Sequence, residues 1–148
     1  MVAVDQLAAA ERRAWAEFMA LISRVPAERR DERDVVPGWS VKDLVWHNVG
    51  WATFAARELQ KLKGLPYTDP FAAHDDAHWD RESDAILEAG RRMSWDEMLV
   101  NVEAEREQAH ELLADLGELG PEAAAFFAEE SSVHYREHSD EIERFLEG

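Results

Sequence analysis

Apolar residues recur along this chain at intervals of three and four, and nowhere alternate cleanly, so the pattern predicts helices and no sheet. A first helix is predicted over residues 5–25. There Leu7, Ala8, Glu11, Trp15, Phe18, Leu21, Ile22 and Val25 follow one face, and Pro26 ends the run. A charged loop leads to Ser40, whose hydroxyl is placed to cap the free amides of a second helix, with Asp43 in the capping-box position. That helix runs to about residue 63, where Gly64 and Pro66 stop it. A loop with two prolines, 65–74, precedes a third helix over about 75–92. Ser94 and Glu97 repeat the capping box and restart helix over 95–116, either as a separate element or as the second half of one long kinked helix. Gly117, Gly120 and Pro121 break the chain again, and a last helix takes much of 122–147.

These segments imply an all-α fold, an antiparallel four-helix bundle with a short extra helix, forming one domain over residues 1–148. The second helix is apolar on more than one stripe, because Val45, Trp46 and Val49 fall away from Leu44, His47, Trp51 and Ala55. Either it lies at the centre of the bundle or its outer side meets a second copy in a homodimer. Of the six tryptophans, Trp15, Trp51 and Trp95 sit at core spacing, Trp39 is placed to close its loop against the bundle, and Trp46 and Trp79 are candidates for the wall of a pocket.

Charge and composition narrow the partners. With 32 acidic against 16 basic residues the net charge is −16, which repels phosphate backbones and anionic lipid, so no nucleic-acid or membrane partner is expected. The longest uncharged run, residues 44–56, is short of the roughly 20 residues a spanning helix needs. Asp5, Glu11, Arg12, Arg13 and Glu17 leave no export-signal pattern in the first twenty residues, so a cytoplasmic location is expected. Cysteine is absent, which excludes thiolate ligands and cysteine nucleophiles, so any thiol chemistry uses an external, low-molecular-weight thiol.

Inside the apolar second helix sits His47, and the last helix carries His134 and His138 on the stripe of Phe127, Ser131, Ile142 and Phe145. Four residues advance a helix by about 6 Å and overshoot one turn by about 40°, so those two imidazoles project side by side. A histidine pair at this spacing is a recurring way to give two nitrogens to a divalent ion, and His47 on an inward face supplies a third. Three protein ligands leave a position open, the arrangement of a catalytic site. The alternative is three core histidines, each satisfied by a carboxylate or carbonyl. For the far ring nitrogens, Asp43, Glu130 and Glu141 are the candidate partners, each about one turn from a histidine.

"GWSVKDLVWHNVGW", followed far downstream by "HYREHSDEIERFL", resembles the DinB-like superfamily of metal-binding four-helix bundles, which includes the mycothiol-dependent maleylpyruvate isomerase N-terminal domains. The resemblance spans nearly the whole chain. It implies a divalent metal, zinc or nickel, held by His47, His134 and His138, and an enzyme of the thiol S-transferase or isomerase kind. The family's Asp-Ala-Trp-Asn element has only the loose counterpart Asp76-Ala77-His78-Trp79.

Other constellations carry less. His74 and His78 form a second four-residue pair at a predicted helix start, where capping and solvated charge explain them, though His78 is kept with Trp51 as a candidate pocket contact. Glu107 and His110 alone have di-iron spacing, and they lie off the Met98, Val102, Ala109, Leu113 stripe. Three functions stay open at this stage: a metal-dependent transferase or hydrolase with a small-molecule substrate, a bundle that sequesters a small molecule without turnover, and a structural dimer with core histidines. Metal binding predicts affinity that declines below about pH 6.5, where free imidazoles protonate.

Overall fold

The computed structural model describes residues 1–148 and is all-α apart from one tiny ribbon. Its elements are β1 (Val2–Ala3), α1 (Val4–Ile22), α2 (Val41–Lys61), α3 (Asp76–Arg91), α4 (Trp95–Leu116), β2 (Glu118–Leu119), α5 (Pro121–Glu130) and α6 (Ser132–Glu147). The strands pair antiparallel, Val2 with Leu119 and Ala3 with Glu118, and tie the start of the chain to the end of α4. That tie also satisfies the first free amide of α1, since Val4 N–H donates to Gly117 O at 3.0 Å.

Local chemistry sets the helix ends. α1 stops at Ile22, three residues before the predicted end, because Pro26 disfavours helical backbone at Val25, yet Val25 stays in the core at 3% exposure. At α2 the Ser40 hydroxyl accepts from Asp43 N–H at 3.2 Å while the Asp43 carboxylate accepts from Ser40 N–H at 2.9 Å. The same reciprocal cap joins Ser94 and Glu97, so α3 and α4 are two helices and not one kinked helix. Gly117 closes α4 with a positive φ of 73°, a backbone region open to glycine at no steric cost.

The last helix departs from expectation. It is broken at Ser131, whose φ of −127° and ψ of −95° lie outside the helical region. The Ser131 hydroxyl donates to Phe127 O at 2.6 Å, competing for the carbonyl that a continuous helix would use.

α1, α2, α4 and the α5–α6 rod make the four columns of the bundle, with α3 laid against α2. α2 touches α3, α4, α5 and α6, so its all-round apolar surface is accounted for within one chain. α3 approaches closely because Gly90 has no side chain: a Cβ there would stand 2.6 Å from Trp46 Cδ1. One apolar cluster surrounds Phe18, Leu44, Val45, Met98, Tyr135 and Ile142, and a second surrounds Leu7, Ala56, Leu113, Ala124 and Phe127. No helix is long and apolar enough to cross a membrane.

Candidate metal centre

The capping box and apolar flanks of α2 place His47 on the side that α6 faces, and α6 brings His134 and His138 to it. Nε2 of His134 lies 3.2 Å from Nε2 of His47 and 3.0 Å from Nε2 of His138. One donor atom from each residue falls within 4.8 Å of the others. The Trp39 ring stands edge-on to His47 at 4.8 Å between centroids, closing the loop against the imidazoles.

The protonation states decide what this cluster is suited to hold. Burial, and then the neighbouring imidazoles, lower His47 to about 2 and His134 to about 3, so both rings are neutral at physiological pH. Protons therefore compete for these two rings well below the pH 6.5 expected from free imidazole. His138 Nδ1 lies 2.7 Å from Glu141 Oε2, which as a carboxylate can only accept, so His138 donates there and Nε2 is the nitrogen turned to its neighbours. Nδ1 of both His47 and His134 is buried without a partner. A single N–H on His134 Nε2 can serve one facing nitrogen and not both, whereas a cation accepts all the lone pairs at once. At metal–nitrogen distances of about 2.0–2.1 Å, ligand nitrogens stand about 3.0 Å apart in octahedral and about 3.4 Å in tetrahedral geometry. The two separations through His134, 3.0 and 3.2 Å, fit that range, the donor atoms as a set lie within 4.8 Å, and imidazole is a ligand that zinc and nickel accept.

A cavity of about 300 Å³ opens beside His47 and His134, lined also by Trp51, Phe71, Trp79, Asp80, Ser83 and Glu130. Burial, then repulsion from Glu129, Glu137 and Asp69, raises the Glu130 carboxyl to about 7. Glu141 contacts His138 and Glu130 lines the cavity, but Asp43 does neither. Its Oδ2 is engaged by the α2 cap and by Arg91 at 3.5 Å, its Oδ1 is buried without a partner, and no hydrogen bond joins it to His47. His78 is also displaced from this cavity. Its backbone N–H is held by the Asp75 cap and its ring stacks on His74 at 3.8 Å, which puts both in a neighbouring cavity of about 610 Å³ that shares Trp51 and Trp79.

Sequence reasoning missed one buried polar cluster. Glu11 accepts two hydrogen bonds from Arg106 at 2.7 and 2.8 Å and one from the Tyr135 hydroxyl at 2.9 Å, and it lies 2.8 Å from His110 Nε2. Burial opposes the charge of Glu11, but the bonds from His110, Arg106 and Tyr135 and the charge of Arg106 outweigh it and hold the carboxyl down at about 2. The cluster joins α1, α4 and α6, and Tyr135 is the next residue after His134. Glu11 on the apolar stripe of the first predicted helix was the available signal.

The family model for the mycothiol maleylpyruvate isomerase N-terminal domain matches residues 11–132. The matched stretch contains His47 and ends just before His134 and His138. No curated protein and no solved structure matches the chain.

Proposed function

The chain belongs to the mycothiol maleylpyruvate isomerase N-terminal domain family, within the DinB-like superfamily, and from that membership we propose that it is a divalent-metal enzyme joining a low-molecular-weight thiol to a small electrophile. The observation that carries the reading is the approach of imidazole Nε2 atoms from α2 and α6 to 3.0 and 3.2 Å with no proton arrangement that satisfies them all. His47, His134 and His138 hold the ion, zinc or nickel, through those atoms. Glu141 fixes the tautomer and rotation of His138, and Trp39 holds the His47 ring in place and shields it from water. When bound, the ion supplies positive charge that favours the thiolate form of an incoming thiol and polarises an electrophile. The thiol comes from outside, since the chain has no cysteine. Trp51, Phe71 and Trp79 give the second substrate an apolar seat beside the ligands.

Elemental analysis of protein purified without an affinity tag, wild type beside His134→Ala, tests the metal. About one ion per chain in the wild type and loss in the variant is expected, and metal-free wild type after growth in zinc and nickel overturns the reading. Activity across a panel of thiols and electrophiles tests catalysis, and transfer that survives undiminished in His47→Ala refutes it.

A further inference from the structure

His134 and His138 stand on the first two turns of α6, and few contacts fix which way those turns face. The break at Ser131 uncouples them from the rotation of α5, since the backbone there is not helical. From Ser132 to Glu141 only Ser132 and Tyr135 are buried, so Tyr135 is the one large side chain these turns sink into the bundle. Its ring packs on α1, 5.3 Å from Trp15 and 6.4 Å from Phe18 between centroids. Apolar contacts of this kind are non-directional and let a ring slide, whereas a hydrogen bond has a preferred length and angle. The Tyr135 hydroxyl supplies one, donating to Glu11 at 2.9 Å. Glu11, 2% exposed, is itself held by Arg106 and His110 of α4, and the Arg106 guanidinium lies over the Trp15 ring at 4.8 Å. Apart from those of the imidazoles, the only other hydrogen bond from α6 to a residue more than four positions away is Arg29 to Phe145 O at 3.4 Å, near the far end of the helix. Rotation matters greatly to the histidines. A side-chain atom stands about 5–6 Å from the helix axis, so turning α6 by about 10° carries an imidazole nitrogen about 1 Å. Metal–ligand distances tolerate about 0.2 Å.

We propose that Glu11 and Tyr135 are positioning residues for the metal centre: their hydrogen bond sets the rotation of α6 against α1, and that rotation brings His134 and His138 to His47. The consequence for metal rests on the proposed function, while the rotation itself belongs to the metal-free fold and is read there. In the EDTA-treated full chain, nuclear Overhauser cross-peaks are expected from the His47 ring to the His134 and His138 rings, whose centroids lie 4.9 and 5.1 Å from it. Tyr135→Phe keeps the aromatic ring and removes the bond. It should weaken those cross-peaks at least about twofold, as a displacement of about 1 Å would. With metal added, Tyr135→Phe and Glu11→Gln should each bind zinc about 10- to 100-fold more weakly and shift the visible bands of the cobalt(II)-loaded protein. Leu119→Ala, a cavity mutation in the second apolar cluster, controls for lost stability and should leave cross-peaks, zinc affinity and bands at wild-type values. Wild-type cross-peaks and zinc affinity in Tyr135→Phe overturn the inference, as does an equal loss of both in Leu119→Ala. The two readings fail separately. A wild type that takes up neither zinc nor cobalt, with cross-peaks that weaken in Tyr135→Phe, sinks the metal reading and upholds this one. A wild type that binds zinc, with a Tyr135→Phe variant unchanged, sinks this one alone.

Discussion

Replacing Glu11 by glutamine keeps the shape of the buried cluster and removes its negative charge. Two routes give the size of the effect. Losing one partner of a buried ion pair costs about 3–5 kcal/mol, because the other charge, here Arg106, stays desolvated. Independently, a carboxyl held at about 2 in the fold against an ordinary value of 4.5 contributes about 3 kcal/mol at neutral pH. The pH dependence follows from the sign. A folded value below the unfolded one gives stability that is complete above about 4.5 and is lost as pH falls through about 2. Of the roughly 3 kcal/mol, about 2 is gone by pH 3. Urea denaturation of wild type and Glu11→Gln at pH 7 and pH 3 reads this directly, and the other carboxylates, common to both proteins, cancel in the difference. The variant should be less stable by about 3 kcal/mol at pH 7, and the gap should shrink by about 2 kcal/mol at pH 3. A gap under about 1 kcal/mol at pH 7, or one that does not change with pH, refutes the account of the cluster as a charged clamp.

Gly90→Ala should destabilise by about 1–3 kcal/mol, since its Cβ would meet Trp46 Cδ1 at 2.6 Å. Helix propensity alone predicts a gain of about 1 kcal/mol, so the sign of the shift in a denaturation curve decides between them. Glu141→Gln should weaken zinc binding about 10- to 100-fold without changing the helical content, as read by competition with a chromogenic chelator, and unchanged affinity would remove Glu141 from the site. In metal-free protein the neutral His47 and His134 should make the fold acid-labile. Their contribution is complete above about 6.5 and drains as pH falls toward about 3 and about 2, so stability in EDTA that is flat from pH 6.5 to 5 contradicts their burial.

Period and caps made most of the fold legible. A stripe such as Met98, Val102, Ala109 and Leu113 is a local fact about one helix, and all four residues are buried. Ser40 with Asp43 and Ser94 with Glu97 announce helix starts through bonds made within four residues, so they survive any tertiary arrangement. The break at Ser131 was not legible, because the apolar face reads straight through it and the competing bond of a serine to the carbonyl four residues back is equally compatible with an unbroken helix. Nor did the apolar wrap of α2 say whether a neighbouring helix or another copy of the chain would cover it, since both bury the same atoms.

The site divides in the same way. Helical phase aims His134 and His138 together and points His47 inward, and those are statements about single helices. Partners are different. Asp43 and Glu141 each stand about one turn from a histidine, yet Asp43 bonds to the cap it helps to form and not to His47, while Glu141 reaches His138. Glu11 makes the point most sharply. A carboxylate inside an apolar stripe implies a buried partner somewhere, because an unpaired desolvated charge is too costly to keep. Which residue answers depends on how α4 and α6 are rotated against α1. Arg106 and His110, one turn apart at the margin of the α4 stripe, and Tyr135 beside a histidine of α6 are marked by nothing in their own helices. A charge on an inward face therefore states a demand that its own segment cannot meet, and only the docking of the other helices names the residue that meets it.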